Sequence, residues 1–534
     1  MNACNNAHND MCMQCNAHKD MRMHNNARKD TRMHNNAHKD MRIHSNARKD
    51  THMQRNARKD TRMQCSAQRK VNSKSHKTAK GVIMPENKEE KFILYKTFDT
   101  INQVDPQLYA KYDVKRGLRN ADGTGVVTGI TNVANVHGYI MDDGYKIPDE
   151  GALRYRGYDL YDLVDAENVD KRFNFEEVAY LLLTSNLPNE QQLRDFVSLI
   201  DAQRELPDGF TASIFFGSTP PSIMNLLSRV VLNQYAYDLH AEDRTSAHEI
   251  DVAISLMSKL PRAAVLSHYA VNHRFKNESL IIHPFIPGQS TAETILSMLR
   301  PNRKFTQLEA RMLDIMLCVH MEHGGGNNST FATHVLSSAD TDAYSAYSAA
   351  IGSIKGARHG GANLKSYAMQ KDLKAHVSNW EDEDEVASYL QKVIAKQAFD
   401  KTGLIYGIGH AVYTKSDPRA CICHKFAKKL AKDEGYEEEL ALLETVERIA
   451  PLLISEAKGI STDELCANVD MYSGFIYHML GIPEDLFTPL FACGRFPGWV
   501  AHRFDEIIAG KRIIRPAYKN ASYTRRAYVP MEER

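Results

Sequence analysis

The sequence predicts an all-α fold: a large helical domain, a smaller helical subdomain, a minor β-hairpin near the start and an irregular N-terminal extension. Three observations carry that expectation. Helical periodicity dominates from about residue 158 onward, strand signals are confined to residues 123–144, and a ten-residue repeat without an apolar face fills the first seventy positions. The expected divisions are 1–83 for the extension and linker, 84–364 for the first part of the large domain, 365–475 for the small subdomain and 476–534 for the return.

The repeat comes first. Ala recurs at 7, 17, 27, 37, 47, 57 and 67, and Asp at 10, 20, 30, 40, 50 and 60. Each unit offers one Met or Ile and one Ala, too little apolar surface to offset backbone ordering at about 1–2 kcal/mol per residue, so disorder or fraying helix is expected. Residues 1–80 hold 18 Lys and Arg against 6 Asp, a net charge of +12, while the rest of the chain carries −11. Cys12 and Cys15, flanked by His8 and His18, have the inner spacing of a zinc knuckle, but no second pair follows. The basic residues alternate with Asp and lack aromatics, which argues against nucleic-acid binding. The ten-codon period suggests tandem DNA read through from an upstream Met, with Met84 as the functional start. No apolar run of 18 residues and no secretory signal is expected, and nine scattered cysteines do not form a disulfide framework, so cytoplasmic residence is the default.

Residues 66–90 read as a polar linker. Beyond them, residues 123–130 and 138–144 alternate as short hairpin elements would. Among the helices, Thr306 and Glu309 form a capping box ahead of Leu308, Met312, Ile315, Met316 and Val319 on one face, and this helix is expected to deliver His323 on its buried side before Gly324, Gly325 and Gly326 stop it. Val386, Leu390, Val393 and Ile394 follow the same period behind the acidic turn at 381–385.

Three glycine-flanked histidines carry the chemistry: His323 in Glu322-His323-Gly324-Gly325-Gly326-Asn327, His359 in Arg358-His359-Gly360-Gly361-Ala362-Asn363, and His410 in Gly407-Ile408-Gly409-His410. Glycine lets backbone and ligand approach closely. His359 precedes a predicted helix whose positive end favours a neutral imidazole, a hydrogen-bond donor suited to enolisation. Enolisation needs a base, and Asp470 is the candidate carboxylate, with a helix cap as its alternative role. Arg419, Arg495 and Arg515 imply a polycarboxylate substrate, because guanidinium groups pair bidentately with carboxylates. His320 and His323 imitate a metal pair, but no metal is expected.

These motifs resemble the citrate synthase family over roughly residues 90–520. The resemblance rests also on Leu153-Arg154-Tyr155-Arg156-Gly157-Tyr158, on residues 175–182 and on Ile514-Arg515-Pro516. It implies that the small subdomain closes over the active site. It implies that His359 polarises the acetyl-CoA thioester carbonyl, Asp470 removes the methyl proton and His410 protonates the oxaloacetate carbonyl. His323, Arg419 and Arg495 would hold oxaloacetate, with Arg515 reaching over from the partner subunit of a homodimer. Acetyl-CoA is then a substrate, no cofactor is implied, and neither nucleic acid nor a membrane is an expected partner. Three departures stand out: Lys355-Gly356-Ala357-Arg358 where the family often has Gly-Pro-Leu, Glu322 where an Asp usually precedes the histidine, and Pro221-Ser222-Ile223-Met224 where bacterial members have His-Pro-Met. The rival activity is 2-methylcitrate synthesis from propionyl-CoA, which differs by one methylene. An ATP-dependent citrate lyase is disfavoured by the absence of a phosphate-binding glycine motif. From another class, a non-catalytic binding scaffold with a basic tail is disfavoured by the intact histidine, Asp470 and arginine set.

Overall fold

A computed structural model describes residues 97–534 apart from 99, 166–171, 213–214, 216 and 522–524. The repeat, its cysteines and the linker lie outside the described residues. Residues up to Gln103 form one unit, described only as an exposed helical turn, and Val104–Arg534 form another.

In the larger unit, α1 (Gln107–Lys111) precedes β1 (Ala134–Asp142) and β2 (Tyr145–Tyr155), which pair antiparallel with Asp142 opposite Tyr145 and Ala134 opposite Tyr155. Asp143 and Gly144 both adopt positive φ at the two-residue turn, as an Asp-Gly hairpin requires. A two-residue β3 (Tyr158–Asp159) completes the sheet. The expected hairpin is therefore real but longer than predicted. Residues 123–130, in contrast, are not a strand: only the Arg119–Gly125 bridge forms, because no neighbouring strand is placed to pair with their alternating side chains.

Helices follow as predicted. They run through α2 (Leu160–Val164), α3 (Phe175–Thr184), α4 (Glu190–Ala202), α5 (Ile223–Gln234), the long α6 (Ser246–Lys276), α7 (Thr291–Leu299) and α8 (Gln307–His320). The chain continues with α9 (Asn328–Ser337), α10 (Ala343–Ile354), α11 (Ala362–His376), α12 (Glu383–Ile394), α13 (Pro418–Glu434), α14 (Glu437–Lys458), α15 (Asp470–Met479) and α16 (Phe487–Asp505). Boundaries at 364/365 and 475/476 fall inside α11 and α15. The Thr306–Glu309 capping box forms in both directions.

The core centres on α16, buried on every side from Phe487 to Arg503 and packed against α3, α6, α8 and α9. Such a helix needs apolar residues all round, and besides Thr488 its polar exceptions are Arg495, His502 and Arg503. The hairpin braces the site: Thr414 Oγ donates to Gly138 O, and Gly151 N donates to Ser416 Oγ at 3.0 Å. This holds the strand pair against the segment between His410 and Arg419.

The end of α8 also differs from the expectation. Helix α8 ends at His320, so His323 is presented by the following turn and not by the helix, and the glycines are not what stops it. The backbone N–H groups that would continue the helix are diverted. Glu322 N donates to the Tyr155 hydroxyl at 3.3 Å, while His323 N and Gly324 N donate to the carboxylate of Glu322 itself.

Candidate active site

Six of the seven predicted site residues line one cavity of about 650 Å³: His323, His359, His410, Arg419, Asp470 and Arg495. Arg515 does not; it is exposed on the extended C-terminal segment.

His410 and Asp470 are brought together by their backbones. Gly409 N donates to Cys466 O at 2.7 Å and Asn468 N to Gly407 O at 2.8 Å. Gly407 and Gly409 both take φ near 90°, which residues with a Cβ rarely adopt, and a Cβ at Gly407 would lie 3.0 Å from Met471 Cα. Asn468 ties the two segments further, donating to Gly409 O and accepting from Asp470 N. Asp470 is the first residue of α15, whose N-cap is Val469, so its carboxylate is not a cap. Its Oδ1 has no hydrogen-bond partner, and burial pushes its pKa up to about 7.

The histidines are neutral donors and their tautomers follow from their partners. Val412 N and Tyr413 N both donate to His410 Nδ1 at 3.0 Å, so the neutral ring carries its proton on Nε2. Burial lowers its pKa to about 4. His359 Nε2 accepts from the backbone N–H of Ser329 at 3.4 Å and lies 2.8 Å from the Ser329 hydroxyl, which leaves the His359 proton on Nδ1. Burial, then the charges of Arg495 and Arg419, depress its pKa to about 3. His323 packs edge-on to His410 with ring centroids 4.9 Å apart; its Nε2 is buried without a partner.

The arginines differ. Arg419 is held by Asp417 through Nε at 3.1 Å and Nη2 at 2.7 Å. Burial opposes its charge, but Asp417 more than offsets this and raises its pKa. Arg495 donates only from Nε, to His320 O, and both terminal nitrogens lack partners. Burial lowers its pKa to about 10.

Ordered this way, the cavity offers a base, two neutral donors and a buried guanidinium with free N–H groups. The family model described as citrate synthase, C-terminal domain, matches residues 123–517. The chain belongs to the citrate synthase family. It is 33% identical to a citrate synthase of Haloferax volcanii over 72% of this chain and 94% of that protein. Against a 2-methylcitrate synthase of Shewanella oneidensis, identity is 31% over 72% and 92%. Its fold matches citrate synthase from Thermoplasma acidophilum, solved as a ternary complex with carboxymethyl coenzyme A and oxaloacetate, with TM-score 0.64 and 24% identity over 79% of this chain and 99% of that one. A citrate synthase member is a condensing enzyme of the acyltransferase type.

Other parts of the site escaped the sequence reading. Ser329, which also accepts from Trp499 Nε1 at 3.1 Å, sets the His359 tautomer, and Asn468 links His410 to Asp470. Ser329 and Trp499 lie 170 residues apart and carry no motif; Asn468, two residues before Asp470, was the one signal within reach. His320 is stacked on Phe491 at 4.0 Å and does not line the cavity. Among the described residues no cluster of three His, Cys, Asp or Glu is arranged to hold a metal, and no helix is long and apolar enough to cross a membrane.

Proposed function

We propose that the protein condenses acetyl-CoA with oxaloacetate and hydrolyses the citryl-CoA product to citrate and CoA. The observation that carries this reading is the Asp470 carboxyl, unpaired at Oδ1 and raised to about 7, in one cavity with neutral His359 and His410. Asp470 removes a proton from the acetyl methyl group while Nδ1–H of His359 donates to the oxygen that becomes the enolate. That carbon attacks the ketone of oxaloacetate, and Nε2–H of His410 supplies the proton the new alkoxide takes. His323, Arg419 and the free N–H groups of Arg495 bind the oxaloacetate carboxylates, and Arg515 is contributed across a homodimer. Water then cleaves the thioester, and closure of the small subdomain withholds it until the carbon–carbon bond has formed. No cofactor is needed, because these side chains supply the proton transfers and positive charge.

Relatives of both substrate classes at about 30% identity keep 2-methylcitrate synthesis as the second reading. The test is thiol release from acetyl-CoA and from propionyl-CoA, each with oxaloacetate, using the full chain beside Asp470→Ala. Acetyl-CoA turnover lost in the variant supports the first reading; a propionyl-CoA preference moves the assignment to the second. Release with neither substrate overturns both.

A further inference from the structure

Behind the cavity runs a chain of four titratable side chains that the mechanism does not use. Glu506 Oε2 lies 2.8 Å from His334 Nδ1, His334 Nε2 lies 3.1 Å from His502 Nδ1, and His502 Nε2 lies 3.1 Å from Glu322 Oε1. The same Glu322 oxygen accepts from the backbone N–H groups of His323 and Gly324. Both His502 and Glu322 are fully buried, and Glu322 Oε2 packs against Gly498, where a Cβ would collide with it.

Proton accounting makes the chain informative. Three hydrogen bonds in a row between two carboxylates need three protons, since each end only accepts. Two neutral imidazoles bring two. We propose that the His334–His502 pair holds one extra shared proton and that, through Glu322, these residues position the turn carrying His323. Burial and then the charge of His502 push the His334 pKa down, so the pair takes one extra proton and not a second. Asp505 and Glu506 favour the charge on His334. Burial works against ionised Glu322, but the charge and hydrogen bond of His502, then Arg495 and the His323 N–H, outweigh it and lower its pKa. Beyond Glu506, the cleft it lines also contains Arg244, Asp340, Lys511 and Arg512. As pH rises the extra proton leaves, one of the three links breaks, and the anchor of the His323 turn loosens.

This rests on the reading of His323 as an oxaloacetate ligand. The decisive variant is Glu506→Gln, whose amide supplies an N–H to His334 Nδ1 and so completes three hydrogen bonds with two neutral rings. KM for oxaloacetate and for acetyl-CoA is measured from pH 5 to pH 8 on the full chain, a range that spans the lowered His334 value. For the wild type, the oxaloacetate KM is expected to rise about tenfold over the range while Glu506→Gln stays near the low-pH value. His502→Ala is expected to hold the oxaloacetate KM about tenfold high at every pH, with the acetyl-CoA KM within about twofold of wild type. Parallel profiles for wild type and Glu506→Gln, or equal changes in both KM values for His502→Ala, overturn the proposal. Should the wild type turn over neither acyl-CoA, the functional reading fails instead. Ring-nitrogen NMR of the ¹⁵N-histidine-labelled protein then decides the proton: a His334–His502 titration in wild type that vanishes in Glu506→Gln supports it, and identical titrations overturn it.

Discussion

Arg495 and Arg503 stand two turns apart on α16, both with no exposed surface, and their surroundings are opposite. Arg503 pairs bidentately with Glu249 at 2.8 and 2.6 Å and donates to Ser337 Oγ and Thr341 O, each at 3.0 Å. Burial opposes that cation, but the Glu249 carboxylate holds its pKa above the usual guanidinium value. At Arg495 burial prevails: one N–H is used and the terminal nitrogens are free. The carboxylates repeat the contrast, since both oxygens of Glu249 are occupied while Asp470 Oδ1 is not. A buried charge satisfied within the chain is scaffold; one left unsatisfied raises the folded state's free energy and is kept because something else completes it.

Breaking that contrast should affect activity at one end of the helix and stability at the other. Asp470→Ala has the largest expected effect: thiol release falls by about 10²–10⁴, while the melting temperature is unchanged or higher because a costly buried carboxyl is gone. A marked fall in melting temperature would place Asp470 with the scaffold instead. Arg503→Ala comes next, lowering the unfolding free energy by about 3–5 kcal/mol in urea titration, since Glu249 is left buried without its partner. Arg495→Met sharpens the comparison. It raises the oxaloacetate KM about ten- to a hundredfold, equivalent to about 1.5–3 kcal/mol of charge-assisted hydrogen bonding, and leaves urea stability intact. Equal destabilisation by Arg495→Met and Arg503→Ala would erase the distinction.

What the sequence made legible follows the same division. Local signals worked where one segment decides the outcome: the Thr306–Glu309 capping box, the acidic start of α12 and the hairpin element at 138–144 all formed. The six cavity residues were found because glycine flanks and motif order mark them. Residues 123–130 failed as a strand because alternation says nothing about whether a neighbour exists to pair with. The end of α8 was misplaced because Tyr155, 167 residues before Glu322, takes the N–H that would extend the helix. The Glu506–His334–His502–Glu322 chain went unmarked because, although His502 and Glu506 stand four residues apart, His334 and Glu322 come from two other segments that only tertiary packing brings to them.

The mildest expected effect is that of pH, and it tests both sides of the contrast at once. A base must be ionised to work, and the Asp470 pKa is raised to about 7. With oxaloacetate saturating, thiol-release efficiency should therefore climb about tenfold per pH unit below about 7 and level off above it. His359 and His410, at about 3 and about 4, stay neutral throughout and add no second step to that rise. Stability should move the other way. Because the folded pKa lies above the ordinary value of 3.8, the native state holds this proton more tightly than the unfolded chain, and the carboxyl's cost appears as pH rises from about 4 and is complete above about 7. Asp470→Asn removes the titration, so urea stabilities should converge with wild type near pH 4 and favour the variant increasingly up to pH 7. A constant difference across that range would mean that Asp470 is solvated in the folded state and that its cavity does not depress ionisation.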